Sequence, residues 1–267
     1  MKLCKITDET RHISVGLLYF YEKSDTYIIE LSPDLSLEDA PIFFDSFLRR
    51  KEFTVGPAES RRFVESRIVP RDRQNLRSIL ENAGMREYEP FRLLLLAEGR
   101  CSQDDCVIRP ISSEPDWMAG RKKQWLVEAD ALPDRRYYFS FRDGTEGIAA
   151  LEPLVRNDRT LAVILQKYDE LSAAKLIGGG RTVDFGSGRI LMSNAVYDNG
   201  LLELPRPGDR EAILQGSLVD VPDLCSELGV SRQYINRRIQ EEGIQPFRKC
   251  GGNNLYLRKD VFALFDY

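Results

Sequence analysis

Residues 13–21 (ISVGLLYFY) and 26–31 (TYIIEL) are aromatic and β-branched runs separated by the polar turn Glu22-Lys23-Ser24-Asp25, a pattern that predicts a β-hairpin. Leu37, Ile42, Phe43, Phe47 and Leu48 then recur near helical spacing, and Gly56-Pro57 ends that section. From Glu59 to about Ala83 the pattern stays helical, with a break at Pro70. Here Phe63, Ile68, Leu76, Ile79 and Leu80 alternate with Arg61, Arg62, Arg67, Arg71, Arg73 and Arg77. A third short helix or buried strand is expected at PFRLLLLAEG. Together these elements predict an α+β N-terminal domain over residues 1–117.

The character changes after Trp117. Residues 124–130 (QWLVEAD) and 136–141 (RYYFSF) read as strands, and Asp143-Gly144 is a hairpin turn signal that returns the chain along Thr145 to Leu151. A helix is expected around 158–168. Two short strands, 181–185 and 189–192, follow it, joined by Gly186-Ser187-Gly188. Residues 118–200 are therefore a small β-rich domain. The stretch 201–217, with its prolines and charged clusters, reads as a linker or as a linker with one short helix at 209–214.

Residues 218–267 return to helical periodicity with the spacing of a helix-turn-helix. Leu224 and Leu228 are core positions of a first helix, with the small Cys225 where two helices cross. Gly229 can end that helix in the left-handed conformation, Val230 plugs the turn, and Ser231 is a good N-cap for the second helix. Ile235 and Ile239, four apart, anchor the second helix to the first. Arg232, Gln233, Asn236 and Arg237 are left facing outward, with Tyr234 beside them. Arg can donate two bonds to guanine, and Asn and Gln can pair both ways with adenine. Between 231 and 240 there are three Arg and no acid. Two strands, around Phe247-Arg248-Lys249 and Leu255-Tyr256-Leu257, with Gly251-Gly252-Asn253-Asn254 at the tip, form a candidate wing that would set Arg248 and Lys249 against phosphate. Ser231, Arg232, Gln233, Tyr234, Asn236, Arg237, Arg248, Lys249, Asn253 and Asn254 are thus the candidate DNA-binding residues. A helical hairpin used for oligomerisation would share the core spacing, but it would not need the Gly-Val-Ser turn, the outward polar set and the wing together.

On the L-x-x-x-L-G-V-S core at 224–231, the wing and the closing R-K-D-V-F-A-L-F, residues 218–267 resemble the excisionase/MerR-type winged helix-turn-helix domains of prokaryotes. The resemblance implies duplex DNA as partner and a closing helix entered just before Asp260. Cys225 stands where that family usually has an Ala-like residue. Residues 124–199 resemble a small bacterial family known as domain of unknown function 2442, on RYYFSFRDGTEGIAALEPLV and RTVDFGSGRILMSNAVYDNG, with Phe185 in place of a Trp and Val196-Tyr197 in place of a closing Leu-Tyr. That likeness implies a regulatory or interaction module and carries no activity.

Composition narrows the function classes. The 267 residues hold 38 Lys+Arg, 42 Asp+Glu, one His and five Cys, a formal net charge of −4. That balance excludes a wholesale polycation but leaves room for a local basic surface. The apolar runs are short against the roughly 20 residues of a membrane span, and MKLCKITDETRH lacks the apolar region of a signal peptide, so a cytoplasmic protein is expected. One His removes most catalytic triads. GRCSQDDC at 99–106 gathers two thiols and two carboxylates, yet a lone C-x4-C is a weak metal spacing, and a cysteine nucleophile normally needs a His base. Reduced thiols in a turn and strand are the simplest reading of Cys101 and Cys106; a redox switch is the alternative. Gly178-Gly179-Gly180-Arg181 lacks the Lys-Ser/Thr of a phosphate-binding loop. The six arginines of 59–77 read first as a solvated face with ion pairs, and alternatively as a second phosphate-contacting or partner-binding surface.

The sequence thus predicts a multidomain α+β regulator: an α+β N-terminal domain, a small β-rich middle domain and a C-terminal winged helix-turn-helix on double-stranded DNA. Residues 1–200 would supply homodimerisation, sensing or a protein partner. No enzymatic activity, cofactor, metal or membrane association is expected. The alternative is an antitoxin-like adaptor whose terminal domain binds protein.

Overall fold

Antiparallel pairing builds the sheets of the computed structural model, which describes residues 1–156, 159–166, 174–186, 188–198 and 202–265. The fold is α+β, in two compact units that meet at Trp117/Met118.

In the first unit, β1 (Lys2–Asp8), β2 (Ile13–Tyr21), β3 (Thr26–Leu31), β4 (Thr54–Val55) and β5 (Cys106–Pro110) form one sheet in the order β4-β3-β2-β1-β5. The β2–β3 hairpin has the ends read from the sequence, with Tyr21 opposite Thr26. Helices α1 (Asp45–Arg49), α2 (Pro57–Glu65), α3 (Leu76–Asn82) and α4 (Pro90–Leu96) accompany the sheet. Phe44, Phe63, Val64 and Leu94 pack with Cys4, Ile6, Leu18 and Ile29 in one core, and Phe20 stacks between Tyr27 and Phe91 at 4.6 Å from each. The helical reading of 59–83 is realised as two helices with the Pro70 region between them. Pro57 starts α2 at a position where its missing N–H is not needed.

The arginines of 59–77 are engaged inside this unit. Arg61 pairs with Asp25 at 2.8 Å, Arg77 with Glu81 at 2.9 Å and Arg62 with Glu59 at 3.9 Å. Arg73 donates to Asn75, and Arg71 lies over the Tyr88 ring at 4.8 Å. Arg67 is different. Its side chain is 2% exposed, stacks on Phe63 at 4.0 Å, and reaches across to the cysteine loop. There it donates to the carbonyl of Gly99 (2.9 Å), the sulfur of Cys101 (3.2 Å) and both oxygens of Asp104. Burial pushes the Asp104 carboxyl up, but the hydrogen bonds and charge of Arg67 outweigh it and hold the group below its ordinary range. Asp104 also accepts from the backbone N–H of Cys106 at 3.0 Å, which starts β5. Cys106 is buried, and loss of solvent pushes its thiol up to about 12, the opposite of an activated thiolate.

In the second unit, β6 (Leu126–Leu132), β7 (Arg136–Phe141) and β8 (Glu146–Ala150) form an antiparallel meander, and β9 (Lys175–Ile177), β10 (Thr182–Asp184) and β11 (Ile190–Met192) form a second sheet in the order β11-β10-β9. Helix α5 (Trp117–Lys122) leads into this unit, and α6 (Leu151–Val155), α7 (Arg159–Gln166) and α8 (Ser193–Tyr197) follow along the chain. Their shared core includes Leu126, Tyr137, Phe139, Ile164 and Val183. Phe185 is buried edge-on against Tyr137 at 5.5 Å. The glycine run at 178–180 is a tight turn pressed on β6. Gly180 has φ +89, and a Cβ there would fall 2.0 Å from the Leu126 carbonyl oxygen. Arg181, stacked on Trp125 at 3.6 Å, donates to Gly178 O at 2.7 Å, so the run is a structural turn.

Beyond Leu202 the segment expected as a linker packs on the meander. Glu203 bridges Ile148, and α9 (Asp209–Ser217) runs three residues past the expected 209–214, with Ala212 and Ile213 against Leu132, Tyr138 and Ile148. Asp209 is fixed by a bidentate pair with Arg136, at 3.0 and 2.8 Å. β12 (Leu218–Val219), β13 (Arg248–Cys250) and β14 (Asn253–Leu257) make a third small sheet in this unit, in the order β12-β14-β13, with α10 (Val221–Leu228), α11 (Arg232–Glu241) and α12 (Arg258–Phe262) around it. α12 also lies against the meander: Lys259 pairs with Glu146 at 2.9 Å, and Arg142 donates to the Phe265 carbonyl at 3.0 Å. Glu128 of β6 is buried in this seam. Burial pushes its carboxyl up to about 8; Asp130 adds to the rise, while Ser217 and Arg258 oppose it.

Two measurements check this packing. Arg67→Ala leaves the half-buried Asp104 without its cationic partner and is expected to lower the stability of the first unit by about 3 kcal/mol, read from urea unfolding, with a smaller loss in the Arg67→Ala/Asp104→Ala double variant. Because the carboxyl of Glu128 binds its proton more tightly folded than unfolded, its contribution is present below the ordinary carboxylate range and is lost as pH rises toward about 8. Glu128→Gln should therefore raise the melting temperature of the second unit by roughly 5–10 °C at pH 8 and by little at pH 4. An equal effect at both pH values would show that burial does not raise the carboxyl above its unfolded range.

Candidate nucleic-acid interface

The terminal domain is assembled from local signals. Asp220 caps α10 by accepting from the Asp223 N–H at 2.9 Å, and Gly229, at φ 59 and ψ 30, closes the helix in the left-handed region. Ser231 then caps α11, its hydroxyl accepting from the Tyr234 N–H at 3.2 Å. Ile235 and Ile239 turn inward onto Leu224, Leu228, Val219, Tyr256 and Val261.

With inward positions set, helical geometry decides the outer face. At 100° per residue, Arg232, Gln233, Asn236 and Arg237 fall within an arc of about 140° that begins beside the two isoleucines, with Arg232 nearest Ile239, and turns away from them. All four are exposed. Gln240 is exposed in the middle of the same arc and was not singled out from the sequence, although its spacing of four from Asn236 marks it. Tyr234 sits off this stripe: it is 39% exposed, its ring lies 5.9 Å from that of Phe265, and Arg237 lies over it at 5.2 Å. Arg237 also faces Glu241 at 3.6 Å, whereas Arg232 has no ion-pair partner among the described residues. Arg238 belongs to the scaffold, since it reaches Glu241, Glu242 and the Leu264 carbonyl.

The wing is a two-residue hairpin. Arg248 pairs with Leu255, Lys249 with Asn254 and Cys250 with Asn253, so Gly251 (φ 56) and Gly252 (φ 91) alone make the tip. Two successive positive φ values are what a hairpin turn of matching twist requires. Asn253 and Asn254, expected at the tip, lie in β14 instead and are occupied within the domain. Asn253 donates to Asp220 at 3.4 Å and Asn254 to the Tyr256 hydroxyl at 3.2 Å. Arg248 and Lys249 are exposed and have no ion-pair partner among the described residues. As neighbours on a strand they point to opposite faces of the wing. The sites therefore divide into an exposed helix stripe, the Ser231 cap, Tyr234 beside Phe265, two wing cations without an ion-pair partner among the described residues, and two internally bonded amides.

No family model, curated protein or solved structure matches this chain. Among the described residues no cluster of His, Cys, Asp and Glu could hold a metal ion, and no helix is long and apolar enough to cross a membrane.

Loss of the Ser231 cap is expected to destabilise this domain by about 1 kcal/mol in Ser231→Ala. Urea unfolding of the full chain reads it, and a change near zero would show that α11 does not depend on that hydroxyl.

Proposed function

We propose that the chain is a DNA-binding transcriptional regulator in which α11 enters the major groove and the wing lies along the sugar-phosphate backbone. The observation that carries this reading is the exposed stripe Arg232, Gln233, Asn236, Arg237 and Gln240 on a helix capped at Ser231, a set of side chains suited to base edges. Arg232, Arg248 and Lys249, without an ion-pair partner among the described residues, supply charge for phosphate. Residues 219–267 carry seven Lys/Arg and seven Asp/Glu, so one domain binds weakly and a cytoplasmic homodimer on a two-fold site serves the function better. The first unit, whose arginines of 59–77 are spent on internal contacts, is the candidate dimerisation or partner-binding part. A protein-binding adaptor is the competing reading, and the exposed aromatics Phe247 and Tyr234 are the feature that suits it.

Fluorescence anisotropy of the full chain with random duplex, at low and moderate salt, should show binding that falls steeply as salt rises. Alanine at Arg248 or Lys249 should flatten the salt slope by about one unit for whichever residue meets phosphate, and their opposed directions predict unequal effects. On a selected operator, Asn236→Ala should remove about 1–3 kcal/mol of discrimination while leaving random-duplex binding nearly intact. Absence of binding at low salt would favour the adaptor.

A further inference from the structure

A cleft of 580 Å³ opens in the second unit where the meander, α9 and the end of the wing strand converge. Its walls are apolar on the α9 side, through Ile213 and Leu214, and Leu257 closes it from the wing strand. Its polar lining is divided in a telling way. Glu146 is satisfied: it accepts from the Tyr138 hydroxyl at 2.8 Å and pairs with Lys259 at 2.9 Å. Glu128 is not. It is fully buried, lines the same cleft, and neither of its carboxylate oxygens meets a hydrogen-bond donor in good geometry, with Ser217 and Asp130 as its near polar neighbours. Native structures normally pair a buried carboxyl with well-placed donors, and this one has none in good geometry.

We propose that this cleft is a binding site for a small organic cation, an amine with an apolar body, whose ammonium donates to Glu128 while its hydrocarbon part lies against Leu214 and Leu257. The charges around the cleft sort accordingly. The meander contributes Glu128, Asp130 and Glu146, α9 contributes Arg210, and α12 contributes Arg258 and Lys259. Lys259 is held by Glu146, and Arg258 by Glu227. Arg210 is exposed on the α9 side. An ammonium is thus met by an acid whose nearest donor, the Ser217 hydroxyl, leaves its two oxygens short of a well-formed hydrogen bond. The upward displacement of the Glu128 carboxyl by burial adds a signature: an amine that draws out the anion releases a proton, so binding tightens as pH rises toward about 8. The occupant would touch β6, α9 and Leu257 of the wing strand at once. Resting on the regulator reading above, it would act as an effector by changing how the terminal domain is held on the meander.

Calorimetric titration of the full chain with n-hexylamine and phenethylamine, against hexan-1-ol and hexanoate as isosteric controls, tests the site without DNA. Saturable amine binding, tighter at pH 8 than at pH 6 and at least about tenfold stronger than that of the alcohol, is expected. It should fall at least about tenfold in Glu128→Gln and in Leu214→Arg, the second being a change at an exposed position that the fold tolerates. Equal binding of amine and alcohol, preference for hexanoate, no binding of either amine, or unchanged amine affinity in Glu128→Gln would each overturn the proposal. Anisotropy with duplex in the presence of hexylamine tests the effector role separately: amine binding without an effect on DNA keeps the site and removes the coupling. Loss of DNA binding altogether leaves the titration result untouched.

Discussion

The burial of one face of β6 governs the whole second unit. Ala129 and Ala131 point into the middle core, and the alternate positions Glu128, Asp130 and Leu132 point the other way. Nothing in the meander itself covers that second face; α9 and α12 do. Leu132 finds its apolar neighbours in Ala212 and Ile213, whereas Glu128 is covered at an energetic disadvantage. The Arg136–Asp209 bidentate pair and the Lys259–Glu146 pair hold the cover at its edges. The terminal domain is consequently seated on the middle one through named contacts.

That seating bears on recognition. In a winged domain connected by a slack tether, orientation on a nucleic acid would be independent of the rest of the chain. Here Lys259 pairs with Glu146 of the meander and Arg258 donates to the Gly216 carbonyl of α9, while among the described residues the exposed stripe of α11 and the wing cations make no ion pair but the local Arg237–Glu241 contact. The basic residues of the terminal domain thus divide into those that attach it and those available to a ligand, and the net charge of the domain describes neither group.

Where neighbours in sequence are neighbours in space, the elements were legible. Alternation and turn chemistry located the β2–β3 hairpin and the Asp143-Gly144 turn, and the cap and core spacings located α10 and α11. Strand β1 was missed because its buried positions, Cys4 and Ile6, are few among Lys and Thr, and β5 because the cysteines beside it invited a chemical reading. The GRCSQDDC loop makes sense only through Arg67, more than thirty positions away, whose burial cannot be told from that of the solvated arginines around it by local pattern. The seating of α9 has the same origin, since Asp209 at its start is buried by a partner 73 residues earlier. Within the candidate interface the stripe was legible from period 3.6. The internal bonds of Asn253 and Asn254 were not, because they depend on Asp220 and on the pairing of β14.

β6 is also an edge strand, paired with β7 on one side only. During synthesis its outer face is complete well before α9 and α12 exist, so while the 76 residues between Leu132 and Asp209 are made the strand stands uncovered with one backbone edge open. An apolar strand in that position would recruit other chains. Glu128 and Asp130, directed into what later becomes the seam, put charge on the naked strand and discourage such pairing. The carboxylate that burial disfavours in the finished structure would, in the nascent one, weigh against aggregation.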